Sequence, residues 1–229
     1  MHVYFRDNNQ SFRSLAAFVP ETPFVSWNQN GIGQSIQCQF VSGNFFSVCG
    51  VNTILDRAFT AEEDRQPGAA PVAMVSHAFW KNHLGSDPQI VGRTLSINGI
   101  TLTVKGVAPA GFTGLLAGLS PDLWVPFMMA PSVLHDPEWH IRTGAFSLFG
   151  VGRLRPGIKS AQAEAELTAL TRRFEEIDPK PHKDRCVMNK TNIEHPTSNA
   201  EHRRRGHAPD STFDVQCSMF DVRCFPFHL

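Results

Sequence analysis

Residues 71–112 constrain the fold most, because they predict a strand, a helix and a hairpin in direct succession. Val72–Val75 is a short apolar run typical of a buried strand. Ser76 can accept a hydrogen bond from a free N–H of the following turn, which makes it a good helix N-cap. The helix is expected to end at Gly85, since glycine readily adopts the left-handed conformation that closes helices.

A β-hairpin is the next element that the sequence predicts. Asn98 and Gly99 form a strong turn signal, because a type I′ turn needs positive φ at both central positions. Apolar and polar side chains alternate on both sides of this pair, as expected for two strands with one buried face. Residues 71–112 therefore predict a rigid folded surface, and nothing in them suggests a reaction centre.

Further strands are predicted at residues 36–41, 123–125 and 146–154, with an edge strand at 24–27. Ser160–Ile177 is the clearest helix, because its apolar residues recur at three- and four-residue steps and form a continuous stripe. That stripe must pack on a sheet or on other helices. The alternation of strands and helices indicates an α+β fold.

Two shorter helical segments are also predicted. Residues 11–18 have Phe12, Leu15 and Ala16 clustered on one helical face. Thr60 is followed three residues later by Glu63, a capping-box pattern. Since proline and glycine follow at once, we expect this pattern to cap a single turn.

The composition excludes several classes of protein. The chain has 229 residues, 41% of them hydrophobic and 18% charged, and a formal net charge of zero. A dedicated nucleic-acid binder would normally have a basic excess. The first residues have no apolar core typical of a signal peptide, and no apolar run is long enough for a spanning helix.

The composition changes after Asp178. The last 51 residues hold five of the ten histidines, three of the five cysteines and eight of the 21 basic residues, and apolar periodicity disappears. A Phe-Asp-Val-x-Cys pattern occurs twice, at 213–217 and 220–224. We predict a disordered tail at 179–229 and interpret it as translated out of frame or past a break in the gene.

The tail also contains the residue types that bind zinc. Structural zinc sites present close ligand pairs. The two histidines at 202 and 207 have suitable spacing, but the last two cysteines are too far apart, so no metal site is predicted. The residues considered are Cys186, His195, His202, His207, Cys217, Cys224 and His228.

Other candidate sites also have simpler explanations. Ser76 and His77 are adjacent, but no nucleophile-elbow pattern surrounds the serine. The acidic run Glu62, Glu63 and Asp64 is typical of a solvated face or a helix start. The glycine-rich pieces lack phosphate-loop spacing and predict turns. We therefore predict no catalytic, cofactor-binding or metal-binding residue.

Four blocks of sequence resemble one known family, the MacB-like periplasmic core domain of FtsX-like ABC transporter permeases. The resemblance is nearest to the large duplicated permeases of the acidobacterial type, and it covers roughly residues 5–178 with the blocks in the family's order. The blocks are FVSGNFFSVCGV at 40–51, the stretch DRAFTAEED…VAPAGFTG at 56–114, SPDLWVPFMM at 120–129 and GVGRLRPGIKSAQAEAEL at 150–167.

This resemblance implies an α+β domain of two lobes. A porter-like lobe would comprise about residues 1–48 and 140–178. A mixed β lobe, about 50–135, would be inserted into it. The family's transmembrane helices, one before the domain and three after it, are not in this sequence, so the resemblance makes the chain a fragment of a permease.

The resemblance also implies a function without catalysis. The domain would lie on the periplasmic side of the inner membrane and couple a cytoplasmic ABC ATPase to export or mechanotransmission. Its partners would be the permease's transmembrane part and that ATPase, with a periplasmic adaptor or a second permease copy as further candidates, and no nucleic acid or cofactor. Two alternatives stay open: a free-standing soluble binding domain, and a zinc-dependent enzyme that uses the tail ligands.

Three positions depart from the family pattern. Asp56 stands where many relatives have glycine, and Cys49 where leucine is usual. Lys105 replaces a common apolar residue in the second hairpin arm. We expect all three to be compatible with folding.

Overall fold

The computed structural model describes residues 2–139, 147–177, 191–192 and 217–223. The helices are α1 (His2–Asn8), α2 (Phe45–Cys49), α3 (His77–His83), α4 (Ala130–Val133) and α5 (Ser160–Ile177), with short 3-10 turns at Ala61–Asp64 and Phe127–Met129. The strands are β1 (Phe12–Phe18), β2 (Phe24–Gln29), β3 (Ile32–Val41), β4 (Leu55–Asp56), β5 (Val72–Val75), β6 (Thr94–Ile97), β7 (Ile100–Val107), β8 (Leu123–Pro126), β9 (Ser147–Leu154), β10 (Thr191–Asn192) and β11 (Cys217–Arg223).

Six of these strands close into a barrel. Their order is β3-β2-β6-β7-β5-β8, and a parallel pairing of β8 with β3 closes the ring. Trp27, Phe40, Ile97 and Leu102 are among the buried side chains that fill the barrel. α3 adds Phe79 to the same core, so the helix predicted after β5 packs against it.

β1 and β9 form an antiparallel pair beside the barrel, which we call the helix-covered sheet. One face packs on α1 and α5 through a core that includes Phe5, Leu15 and Phe174. Ala16 and Val151 belong to a second core that also contains the apolar side chains of α2. Both faces of the sheet are therefore buried.

Backbone pairing between β1 and β3 makes the two sheets continuous. The end of β1 pairs with the end of β3, with Phe18 opposite Val41. β3 is thus both a barrel strand and the neighbour of the helix-covered sheet. α5 is fixed to the α1–β1 turn because the Glu166 carboxylate accepts hydrogen bonds from the backbone N–H groups of Gln10, at 2.6 Å, and Ser11, at 2.8 Å.

Several local predictions are confirmed. The Ser76 hydroxyl accepts a hydrogen bond from the Phe79 N–H at 3.0 Å, and Gly85 follows the helix with φ of 65°. Asn98 and Gly99 have φ of 48° and 79° between β6 and β7, as a type I′ turn requires. α5 has the predicted bounds.

The helix predicted at residues 11–18 is wrong. The segment is β1, because its backbone pairs with β9 along most of its length. Leu15 and the three residues after it are all buried, since cores lie on both faces. β2 is likewise no edge strand, because it pairs with both β3 and β6.

The tail is only partly described. β10 and β11 lie within it, and β11 pairs with the outer edge of β9 from Cys217↔Arg153 to Arg223↔Ser147. The disorder predicted for residues 179–229 stays a prediction. The rest of residues 179–229 lies outside the described residues, and the boundaries of the two lobes stay a prediction.

Replacing Gly152 by alanine tests the packing of the helix-covered sheet. A Cβ atom at this position would lie 2.5 Å from Phe12 Cδ1 and 3.0 Å from Leu15 Cδ1. We expect Gly152→Ala to lower the free energy of unfolding by about 1–3 kcal/mol, the usual cost of overpacking. Ser14→Ala on the neighbouring strand is the control in urea denaturation, and equal stabilities of the two variants would contradict this packing.

Candidate functional site

The place where β3 leaves the barrel is the best-built polar site among the described residues. Residues 39–44, together with Asp64 and Met128, form what we call the junction. Asp64 Oδ2 accepts a hydrogen bond from the Gly43 N–H at 3.1 Å, and Asp64 Oδ1 accepts one from the Met128 N–H at 3.0 Å. Gly43 follows β3 and Met128 follows β8, so one carboxylate ties together the ends of the two strands that close the barrel.

Close packing at Gly43 explains why the turn bearing Asp64 lies so near to β3. A Cβ atom at Gly43 would collide with the backbone carbonyl oxygen of Thr60 and would lie 3.0 Å from the Asp64 Cβ. Glycine is therefore required here for close approach, and not for an unusual φ angle. The sequence alone gives no sign of this contact.

The environment of Asp64 changes its acidity. Burial raises the pKa of Asp64 to about 6, although hydrogen bonds from the Met128 and Gly43 backbones favour the charged form. The positive charge of Arg6 also lowers this pKa, by a smaller amount. The group therefore becomes protonated under mildly acidic conditions.

Glu63, the neighbouring residue, behaves in the opposite way. Burial alone would raise the pKa of Glu63, but hydrogen bonds from Arg57 and the Thr60 backbone lower it to about 2. The carboxylate lies 2.9 Å from Arg57 Nη2 and 3.4 Å from Lys105 Nζ. Lys105, the unusual lysine of the second hairpin arm, thus pairs with an acid, which accounts for its place on β7.

The acidic run lies in a short 3-10 helix, so the predicted helix start is confirmed. The alternative prediction, a solvated face, holds only for Glu62. Glu62 is exposed and pairs with Arg65 at 2.7 Å. Asp64 is turned inward toward backbone groups of two strands. Its role could not be found from sequence, since the partners are main-chain N–H groups far along the chain.

Ser42 and Asn44 join the junction to β1. The Ser42 hydroxyl accepts a hydrogen bond from the Ala17 N–H at 3.0 Å and donates one to Asn44 Oδ1 at 2.8 Å. Asn44 Nδ2 donates to the Leu15 carbonyl oxygen at 2.9 Å. Two adjacent side chains therefore hold the barrel end of β3 against the helix-covered sheet.

Gln39 completes the junction from inside the protein. Its Nε2 donates to the Val19 carbonyl oxygen at 3.1 Å, and its Oε1 accepts from Trp124 Nε1 at 2.9 Å. Gln39 is buried, so losing either partner would leave a desolvated polar atom. The side chain connects β3 to β8 and to the segment after β1.

Arg153 makes the corresponding contact from β9. Its Nε donates to the Val48 carbonyl oxygen at 2.6 Å, at the C-terminal end of α2. A cation is favourable there, because the unpaired carbonyl groups of a helix end carry partial negative charge. α2 is thus fixed to both strands of the helix-covered sheet through its packing and this hydrogen bond.

The remaining candidate residues in the described part of the chain make structural contacts. The Ser76 hydroxyl is occupied as an N-cap, and the His77 ring packs edge-on against Trp80 with centroids 5.6 Å apart. Burial raises the pKa of the Cys38 thiol. Within the described part of the chain, no three histidine, cysteine or acidic side chains are placed to hold a metal ion. The tail ligands lie outside it, except for Cys217, whose backbone is part of β11.

Substituting Asp64 tests the origin of its raised pKa. A raised folded-state pKa contributes stability that is complete below the unfolded value of 3.8 and is lost as the pH rises through about 6. Relative to Asp64→Asn, the wild type should therefore gain about 2 kcal/mol of unfolding free energy between pH 6 and pH 4.

Urea denaturation at a series of pH values measures this difference. Glu63→Gln is the matched control. Because the pKa of Glu63 is lowered, Glu63 contributes stability that is lost as the pH falls toward 2. A constant difference between wild type and Asp64→Asn over pH 4–6 would contradict the assignment.

Asp56 provides a second test. It has φ of 52°, a left-handed conformation that glycine adopts without strain. We expect Asp56→Gly to raise the free energy of unfolding by about 0.5 kcal/mol. Asp56→Ala should lower it, because alanine keeps the steric cost and lacks the short polar side chain that lets aspartate adopt a left-handed conformation. Thermal denaturation of both variants measures these changes. If Asp56→Ala raised the free energy of unfolding, the left-handed backbone at residue 56 would not be strained.

Among the described residues, no helix combines the length and the apolar composition needed to cross a membrane.

The fold is similar to those of several solved structures, of which we describe three. The periplasmic region of MacB from Actinobacillus actinomycetemcomitans is 13% identical, with a TM-score of 0.56 over 80% of this chain and 76% of that one. The extracellular domain of the noncanonic ABC-type transporter YknZ from Gram-positive bacteria is 12% identical, with a TM-score of 0.56 over 79% and 84% of the two chains. A domain of a permease protein from Porphyromonas gingivalis is 12% identical, with a TM-score of 0.52 over 100% and 82%.

No curated protein sequence matches this chain significantly. The family comparison is decisive, because a model of one domain family matches residues 4–170. This match covers both the barrel and the helix-covered sheet. The chain therefore belongs to the MacB-like periplasmic core domain family, a non-catalytic extracytoplasmic domain of ABC transporter permeases.

Proposed function

We propose that this chain is the coupling module of its permease and relays movement driven by a cytoplasmic ATPase to the far side of the membrane. The observation that supports this most is the junction. It joins the barrel to β1 and the residue after it through buried hydrogen bonds of Ser42 and Gln39, while Asp64 holds the ends of the two strands that close the barrel. A relay needs such a connection, because a displacement of one part must reach the other without being lost in bending.

The packing of the cores supports the same role. The core around α2 includes side chains of β1, β9, β5 and β8, so apolar contacts span the same boundary as the hydrogen bonds. Packed interiors have low compressibility and transmit displacement. The barrel and the helix-covered sheet would therefore move as one body.

The proposed partners follow from this role. α1 and α5 cover one face of the sheet and would connect to the transmembrane part of the permease, which the ATPase moves. The barrel would then face a periplasmic adaptor, a second permease copy or the exported substrate. Catalysis has no part in this proposal, which requires only differential contacts in two states.

Sequencing the gene with its flanks tests whether the chain acts in a permease. We expect one transmembrane helix to be encoded just upstream and three more downstream, in this frame or in another. A confirmed frame without any membrane segment in the flanking sequence would contradict the proposal. The free-standing binding domain would then be the better description.

Distance measurements in the complete permease test the relay itself. Spin labels at Ala165 on α5 and Thr101 on β7 occupy exposed positions of the two parts. The distance between them should be the same with and without ATP, because the parts move together. The distance from either label to one in the transmembrane part should change. A rigid relay would be contradicted if the distance between the two labels changed with ATP. It would also be contradicted if the distance from the labels to the transmembrane part stayed constant.

A further inference from the structure

The hairpin formed by β2 and β3 lies in a stretch of unusual composition. Residues 22–55 contain no aspartate, glutamate, lysine, arginine or histidine, although 18% of the chain is charged. Much of this stretch is core, where charges are rare. The hairpin, in contrast, is exposed over Asn28 to Gly33, so burial does not explain the absence of charge there.

The hairpin also exposes apolar surface. Phe24 at the start of β2 is 71% exposed, and Ile32 at the start of β3 is 67% exposed. Among the large apolar side chains of the described residues, only Ile177 at the end of α5, at 68%, is exposed to a similar extent. Asn30 and Gly31 between the strands have φ of 54° and 83°, so the connection is a tight turn.

β3 has an open edge in this hairpin. One edge pairs with β2 along the whole hairpin, while the other pairs with β8 only from Cys38 to Val41. Just before that, the Gln37 N–H donates to Asp122 Oδ2 at 2.9 Å. Over Ile32–Ile36 no described strand pairs with this second edge.

The direction of the backbone groups follows from two hydrogen bonds. The Cys38 N–H donates to the Pro23 carbonyl oxygen on the β2 side, whereas the Gln37 N–H points to the opposite side. Because backbone groups alternate along a strand, the N–H and C=O groups of Ser35 and Gly33 also point to the open edge. Both residues are exposed.

Open edges of this kind are usually protected. Natural proteins place charged residues, proline or bulges on exposed edge strands, because unpaired backbone groups bind other strands. Ile32–Ile36 has none of these features: it contains no charge and no proline, and its pairing with β2 has no register shift. Such an edge is expected to be covered when the protein functions.

We propose that this edge of β3 pairs with the same edge of a second copy of the chain. In an antiparallel pairing centred on Gln34, Gly33 of each copy lies opposite Ser35 of the other. Residues in such pairs exchange both N–H···O bonds, so two pairs give four hydrogen bonds across the two-fold axis. The absence of charge makes a second copy a suitable occupant, because identical charged edges would repel each other.

The contact area sets the strength of this association. A few residues of edge strand, with Ile32 and Phe24 nearby, give an interface well below the size of stable dimers. We therefore expect a weak dimer that forms at high protein concentration, or between copies held in one membrane assembly. This inference does not depend on the proposed coupling role, since it concerns the isolated chain.

Sedimentation velocity of the chain over a series of concentrations tests the pairing. We expect a monomer that converts to a discrete dimer as the concentration rises. Ser35→Pro removes the outward N–H while leaving the hydrogen bonds to β2 intact, so it should weaken association at least tenfold. Ser35→Ala keeps the N–H and is the matched control, which should dimerise like the wild type.

Circular dichroism and thermal denaturation verify that the variants are folded. If Ser35→Pro does not fold, Ser35→Lys replaces it, because the lysine keeps the backbone and adds a charge that repels its counterpart. A wild type that stays monomeric at every concentration overturns the inference. Dimerisation that is equally strong in the blocked variant also overturns it, as does growth into larger assemblies without a discrete dimer.

Discussion

The hydrogen bonds at the end of β3 are the interaction on which the rest of the structure depends. β3 closes the barrel with β8 and also pairs with β1, so both parts of the molecule share this strand. The Ser42 side chain then accepts a hydrogen bond from the Ala17 N–H of β1, and Asp64 accepts hydrogen bonds from the N–H groups that follow the two closing strands of the barrel. Without them, the two parts would meet at unpaired N–H groups, each of which is costly to bury.

The acidic turn at Ala61–Asp64 contacts the strand ends at the junction and β7. Its three carboxylates differ strongly in environment, although they are adjacent in sequence. Glu62 is exposed, Glu63 is held by two cations, and Asp64 is partly buried and accepts hydrogen bonds from two backbone N–H groups. One short turn thus connects the hairpin strand β7, through Lys105, with the barrel closure. In a member of a non-catalytic domain family, such structural connections are the features of interest.

Sequence reasoning succeeded where the signal is local. The Ser76 cap, the Asn98–Gly99 turn and the stripe of α5 depend on residues within a few positions of one another. It failed for β1, because a strand that is buried on both faces lacks the alternation that distinguishes a strand from a helix. The closure of the barrel could not be predicted from sequence either. Its two closing strands meet near Gln37 and Asp122, which are 85 positions apart in the chain. The alternation of strands and helices indicated the α+β class and the resemblance to the family indicated the extracytoplasmic role, whereas the junction contacts came from the structure alone.

Native-state hydrogen exchange tests the central claim, that the barrel and the helix-covered sheet form one body through the junction, most directly. The N–H groups of Ala17, Gly43 and Met128 all donate to junction side chains. If the junction is rigid, these groups exchange only through global unfolding, with the same protection as the N–H groups of β7 in the barrel. Exchange of the junction groups at low free energy, while β7 stays protected, would show two parts that move independently and would contradict the account.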